Sequence, residues 1–259
     1  MTITQAQDEL AINLLDQAFS SGEQQTVLLN EYKQSVRAYV NVDRSVAVLS
    51  DFQANCSYIY AGAFGKFFGL PSEDIVIDSA FEECIFNKFH PEDLLERHVL
   101  ELRYFQFLKN QPQEERLKYS IVSRVRARNT LDKYLFITHR TLYLKCLPDG
   151  SVWLALCLYA PSLDQSPRLG VDNNIINNET GEILPVEKYE GYDRGILSRR
   201  ELEILTLVAQ GMPSKQIACQ LNIALYTVHR HRQNIIEKLQ VANTAEAVKT
   251  ALVMGLITL

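Results

Sequence analysis

Along the first forty residues, apolar positions recur at helical spacing. Leu10, Leu14, Leu15, Ala18 and Phe19 form one stripe, and a second, weaker one runs from Val27 to Tyr39 after Ser20-Ser21-Gly22. They predict a helical segment over 1–40 that packs on the next domain or forms a dimer contact. From 41 to 160 the rhythm changes. Strand-like runs at 45–49 and 56–61 precede Gly- and Phe-rich helical turns over 62–70 and a helix around 81–86. His90-Pro91-Glu92-Asp93-Leu94 opens a longer helix to about Lys109, with proline at its first position and acids in its first turn. Three strands follow, at 117–127, 134–147 and 151–159, the last two joined by a Pro148-Asp149-Gly150 turn. Alternation is plain where Tyr134, Phe136, Thr138, Arg140 and Leu142 interleave with Leu135, Ile137, His139, Thr141 and Tyr143. The predicted fold class is α+β, an antiparallel sheet with helices over one face. Residues 161–195, rich in Asn, Asp, Glu and Gly, read as a linker. Ile175/Ile176 and Ile183/Leu184 flank a turn in it and suggest a small hairpin that docks on the sheet domain.

The remaining segment, 196–259, is all helical. Ser198 and Glu201 have capping-box spacing, and Leu197 with Leu202 can staple the helix start. Leu202, Leu205, Val208 and Ala209 share a face; Gly211 ends that helix, and Pro213 suits the first position of the next, which turns Ile217, Ala218 and Leu221 inward. Asn222-Ile223-Ala224 is a turn. A third helix over about 225–239 places Val228, Ile235 and Leu239 on one face with the stem of Arg232. Tyr226, Arg230, Gln233 and Glu237 lie opposite, flanked by His229 and Asn234. Such polar side chains can make directed hydrogen bonds to base edges, and a helix of this pattern fits a major groove. A fourth helix starts near Asn243 or Thr244 and runs to about Leu256.

Composition adds a class and a charge asymmetry. The 259 residues are 47% hydrophobic and 22% charged, ordinary for a soluble globular protein of two domains. No apolar run is long enough for a membrane helix, and Met1-Thr2-Ile3-Thr4-Gln5 lacks the look of a secretory signal, so the expected compartment is the cytoplasm. The net charge of −5 hides a segment from Ile196 with seven Lys and Arg against four Asp and Glu. A basic tail on an acidic body suits phosphate neutralisation, and the small excess argues for a dimer on a two-part site. The five cysteines never form a CxxC pair and are expected to be reduced core residues.

The C-terminal motifs resemble the LuxR/FixJ-type (GerE-like) DNA-binding domain over about sixty residues. They are Leu197-Ser198-Arg199-Arg200-Glu201, Ala209-Gln210-Gly211, Lys215-Gln216-Ile217-Ala218-Cys219-Gln220-Leu221, Thr227-Val228-His229-Arg230-His231 and Lys238-Leu239-Gln240-Val241. The resemblance implies double-stranded DNA as partner, with His229, Arg230 and Gln233 meeting bases and Lys215, Thr227, Asn234 and Lys238 the phosphate backbone. Three positions depart from the pattern: Gln216 replaces a Glu, Pro213 and Ala224 stand where Ser or Thr often caps a helix. A lost cap costs about 1 kcal/mol.

The strand pair, short helices, long helix and three-strand meander, with His90-Pro91-Glu92-Asp93, resemble a PAS-like sensor domain over 41–160. Such domains sense a small-molecule ligand between sheet and helices or mediate dimerisation. Other chemistry finds little support. Gly62-Ala63-Phe64-Gly65-Lys66-Phe67 lacks phosphate-loop spacing, the strand meander argues against a phospho-receiver, and His90 beside Pro91 reads as structural. His98 and His139 lack Cys or carboxylate partners at metal-ligand spacing, so no metal, cofactor or catalytic residue is expected. The expectation is a homodimeric transcription regulator, not an enzyme and not a membrane protein. The alternative is a ligand-free protein-interaction adaptor with a DNA-binding tail.

Overall fold

Strand β1 (Val46–Asp51) is buried at all six residues, and the sheet around it is covered on both faces. In the computed structural model, residues 3–20, 25–167, 171–185, 197–239, 241, 243–253 and 256–257 are described. The strands are β1, β2 (Cys56–Ala61), β3 (Ile75–Ile77), β4 (Tyr119–Arg128), β5 (Tyr134–Cys146), β6 (Val152–Pro161) and β7 (Asp172–Asn177). They form one antiparallel sheet in the order β3-β2-β1-β6-β5-β4-β7. The order of elements expected between 41 and 160 is the order found, and β3 is an addition too short to show periodicity.

The helices do not keep to one face, as the alternation had suggested. Helices α3 (Gly65–Phe68), α4 (Glu83–Phe86), α5 (Pro91–Lys109) and α1 (Ile3–Leu15) lie on one side, where Leu10, Leu14, Val48, Phe105 and Tyr159 share a core. Helix α2 (Gln25–Asp43) covers the other, packing Val36 and Val40 against Ala47, Leu49 and Trp153. The cause is the unbroken apolar run Val46–Leu49: alternate side chains point to opposite faces, so such a strand needs cover on both.

The stripe of α1 is Ala6, Leu10 and Leu14, while Ala18 is exposed beyond the helix end. Gln17 stops the helix. Its Nε2 donates to the Leu14 carbonyl at 2.7 Å and the Val152 carbonyl at 3.2 Å, and its Oε1 accepts from Val152 N at 2.9 Å. The amide thus joins the start of β6 to the end of α1.

At the other end of the layer, buried Asp93 in the first turn of α5 accepts from Arg126 N at 2.6 Å and is paired with the Arg126 guanidinium. Gly150 turns the β5–β6 hairpin at φ 83°, a left-handed conformation that favours glycine.

Within the stretch expected to be a linker, β7 adds to the sheet edge beside β4, with Ile175 fully buried. The chain then folds back. Asn177 Oδ1 accepts from Glu179 N and Thr180 N, Gly181 has φ 74°, and Leu184 N returns to the Ile175 carbonyl at 2.8 Å. Apolar Ile175 and Leu184 reach a place in the core, which an isolated hairpin could not offer. The expected boundary at 195/196, Ser21-Gly22 and Gln240 lie outside the described residues.

Candidate nucleic-acid interface

The C-terminal segment folds as α6 (Arg199–Ala209), α7 (Ser214–Gln220), α8 (Leu225–Leu239) and α9 (Thr244–Val253). Helix α6 begins with the full capping box: Ser198 Oγ accepts from Glu201 N at 3.3 Å, and Glu201 Oε2 accepts from Ser198 N at 2.7 Å. Gly211 ends it with φ 83°. Pro213 is the residue before α7 rather than its first position, one step earlier than expected; its fixed φ serves either place. Asn222 takes φ 50° in the turn, and Ile223 N donates back to the Ala218 carbonyl at 3.0 Å. With Ala224 at the start of α8, only its backbone carbonyl engages the helix, accepting from Thr227 N at 2.9 Å.

Ile204, Leu205, Ile217, Val228, Ile235, Leu239, Ala247 and Ala251 fill the core between these helices. Of the expected stripe, Leu205 is fully buried beside Ile204, whereas Leu202, Val208 and Ala209 are only half-buried. Three polar ties fix the helix angles. Arg200 Nη2 donates to the Leu221 carbonyl at 2.9 Å, closing α7 onto α6. Arg232 donates to Ser214 Oγ at 2.7 Å and Thr244 Oγ1 at 3.1 Å, linking α8 to the starts of α7 and α9. Lys238 Nζ lies 2.7 Å from Glu201 Oε2, so one buried carboxylate caps α6 and anchors α8. Burial alone would raise the Glu201 pKa, but Lys238 and the Ser198 donors outweigh it and hold the carboxyl below its usual range. Arg200 and Glu201 were legible as motif residues, but their ties to α7 and α8 join positions 21 and 37 apart in sequence.

With its apolar face buried, α8 turns the opposite face outward. His229, Arg230 and Gln233 are exposed, as is Tyr226 at 76%. Gln233 Nε2 donates to Glu237 Oε1 at 3.0 Å. Asn234 and Thr227 are half-buried at the flanks, and Lys215 is exposed on α7. Lys238 stands apart from these, since its ammonium is engaged by Glu201. An exposed face of Arg, His and Gln on a helix held rigidly from behind can present several donors and acceptors to base edges together.

The structure also corrects two expectations about the sheet domain. Of the five cysteines only Cys157 is buried; Cys84 and Cys219 are exposed. His139 does have Cys and carboxylate neighbours, for the fold brings Cys157 and Glu82 beside it. These residues lie on different elements, and no local spacing could show it.

Residues 195–251 match the model of the luxR family of bacterial regulatory proteins, GerE. Similar curated proteins include the "Uncharacterized response regulatory protein YgeK" of Escherichia coli, 48% identical over 63 residues, which are 24% of this chain and 43% of that protein. The oxygen regulatory protein NreC of Staphylococcus carnosus is 46% identical over 57 residues, 22% of this chain and 26% of NreC. The chain thus spans less than half the length of these relatives. Among solved structures, a phage VqmA–DPO complex overlays on 89% of this chain and 92% of its own, at 13% identity and a TM-score of 0.31. Escherichia coli SdiA covers 99% of both chains at 16% identity and a TM-score of 0.29. Scores this low establish neither a common fold nor a common function.

Proposed function

We propose, from the place of residues 195–251 in the luxR family of bacterial regulatory proteins, that the chain is a sequence-specific DNA-binding transcription regulator. The observation that carries this is the outward face of α8, where Arg230, His229 and Gln233 stand exposed over a buried apolar seam. In this reading α8 enters the major groove. His229, Arg230 and Gln233 read bases, while Lys215, Thr227 and Asn234 contact phosphates. Lys238 reaches the backbone only by sharing its charge with Glu201. The chain acts as a cytoplasmic homodimer, which sets two recognition helices on successive faces of the groove, and it performs no catalysis.

The division of labour belongs to the same reading. The helical lead over 1–40 and the sheet domain from 41, extended through β7 and Leu184, form the controlling unit; 196–259 is the DNA-binding unit. A cleft of about 530 Å³ lies between α1, α5 and the β5–β6 hairpin, lined by Asn13, Gln17, Phe105, Arg116 and Tyr143. Its volume is in the range of small-molecule sites, and the buried Tyr143 hydroxyl has no hydrogen-bond partner among the described residues. These two features favour a ligand-sensing domain over a ligand-free adaptor. Selection from genome fragments with the full chain at stated salt, followed by footprinting, tests the function. A two-fold-related site is expected; a single unrepeated half-site would remove the dimer from the reading.

A further inference from the structure

Beneath the helices, a chain of buried polar groups runs through an otherwise apolar layer. His139 on β5 and Cys157 on β6 point to the same side, for Thr141 pairs with Cys157 and His139 with Tyr159 across the two strands. Glu82, just before α4, closes over them. Their exposures are 0%, 4% and 1%. One ligand-capable atom from each, an imidazole nitrogen, a thiol sulfur and a carboxylate oxygen, lies within 4.8 Å of the other two.

The surroundings hold these groups in place. Glu82 accepts from the Tyr159 hydroxyl, and the Tyr159 ring stacks on His139 at 4.7 Å. Thr141 Oγ1 sits 3.4 Å from His139 Nε2 and 3.7 Å from Cys157 Sγ. His139 Nδ1 is left buried with no hydrogen-bond partner among the described residues. Arg97 reaches to 3.9 Å from Cys157 Sγ and pairs with Glu101 at 2.6 Å.

We propose that Glu82, His139 and Cys157 form a binding site for one divalent transition-metal ion of the zinc class, with a fourth coordination position open. The ligand set selects the ion: thiolate and imidazole suit zinc and its neighbours, and disfavour calcium and magnesium. Bonds of about 2.0–2.3 Å place tetrahedral donors roughly 3.5 Å apart, so the ion draws the three together by about an ångström at most.

On binding, the Cys157 S–H bond breaks, a metal–sulfur bond forms and the proton leaves to solvent.

The inference does not depend on DNA binding, so its test does not either. The full chain, stripped with chelator, is titrated with cobalt(II) as a spectroscopic stand-in for zinc. The expected result is one equivalent per chain with a sulfur-to-cobalt charge-transfer band. That band is lost in Cys157→Ser and kept in a Cys84→Ser, Cys219→Ser double variant, which removes the exposed thiols. Release of about one proton per ion is expected when the titration is repeated with zinc in weak buffer. A folded wild-type chain that gives no charge-transfer band overturns the proposal whatever the variants do. So does a band that survives Cys157→Ser.

Discussion

Two arginines two residues apart on α8 should fail in opposite ways when shortened. Arg232 is turned inward, with hydrogen bonds to Ser214 Oγ at 2.7 Å and Thr244 Oγ1 at 3.1 Å. Arg230 is exposed on the outer face. Hydrogen bonds to a charged group are worth about 1.5–3 kcal/mol each, and all three partners here are only half-buried. Arg232→Ala should therefore destabilise the helical bundle by about 2–3 kcal/mol, at or just below the low end of the roughly 3–6 kcal/mol that two such bonds would give if fully buried. The assay is hydrogen exchange of the full chain, since one global unfolding free energy is poorly defined for a protein of several parts. Amides of α7, α8 and α9 that exchange by opening of the bundle should exchange roughly 30- to 150-fold faster, and amides of β5 and β6 should not change. Arg230→Ala should leave exchange unaltered, as exposed substitutions stay within about 0.5 kcal/mol. It should lose DNA discrimination instead. Unchanged α7 and α9 exchange in Arg232→Ala would refute the bridging role assigned to Arg232.

Further outcomes follow from other contacts. Glu201 has a folded-state pKa below its unfolded value, so its contribution is present above the unfolded pKa of about 4.3 and lost as pH falls through the folded pKa. Acid should loosen α6 of the wild type in hydrogen exchange over that window, and Glu201→Gln should flatten the dependence. Lys215→Ala in a dimer removes two phosphate contacts, so the slope of log K against log salt should become shallower by about 2, with sequence preference kept; an unchanged slope would take Lys215 off the backbone. Asp93→Ala leaves the inward side of Arg126 without its buried partner and should destabilise the sheet domain by about 3 kcal/mol, read as faster hydrogen exchange of α5 and β4 amides in the full chain. Exchange matching wild type would show that the Asp93–Arg126 pair does not hold α5 to β4.

What could be read in the sequence was what local chemistry decides. The capping box at Ser198 and Glu201, Gly211 and Gly150 at left-handed turns, and Pro91 at the start of α5 each declare an element boundary within four residues, and the structure has them there. Alternation along β5 was equally legible, because Ile137, His139, Thr141 and Tyr143 turn one face of that strand to the core. The exposed face of α8 follows from helical period alone. Less local features stayed hidden. The covering of both sheet faces depends on how α2 packs across β1, and a continuous apolar strand fits a buried helix segment by pattern as well. Gln17 ends α1 by pairing with Val152, 135 residues away. The meeting of Glu82, His139 and Cys157 rests on strand register and on the descent of the loop before α4. Ala18, read as part of a stripe, lies past that helix end, and the exposed Cys84 and Cys219 carry no signal that would separate them from the buried Cys157.

The most direct test of the central claim compares DNA selected by the wild-type full chain with that selected by an Arg230→Ala, Gln233→Ala double variant, at one stated salt concentration. Each lost bidentate base contact is worth about 1–3 kcal/mol of discrimination. The variant should keep its folded exchange pattern and its non-specific affinity, yet lose the wild-type site. Enrichment of the same site by both proteins, with equal affinity, would contradict base reading by the outer face of α8.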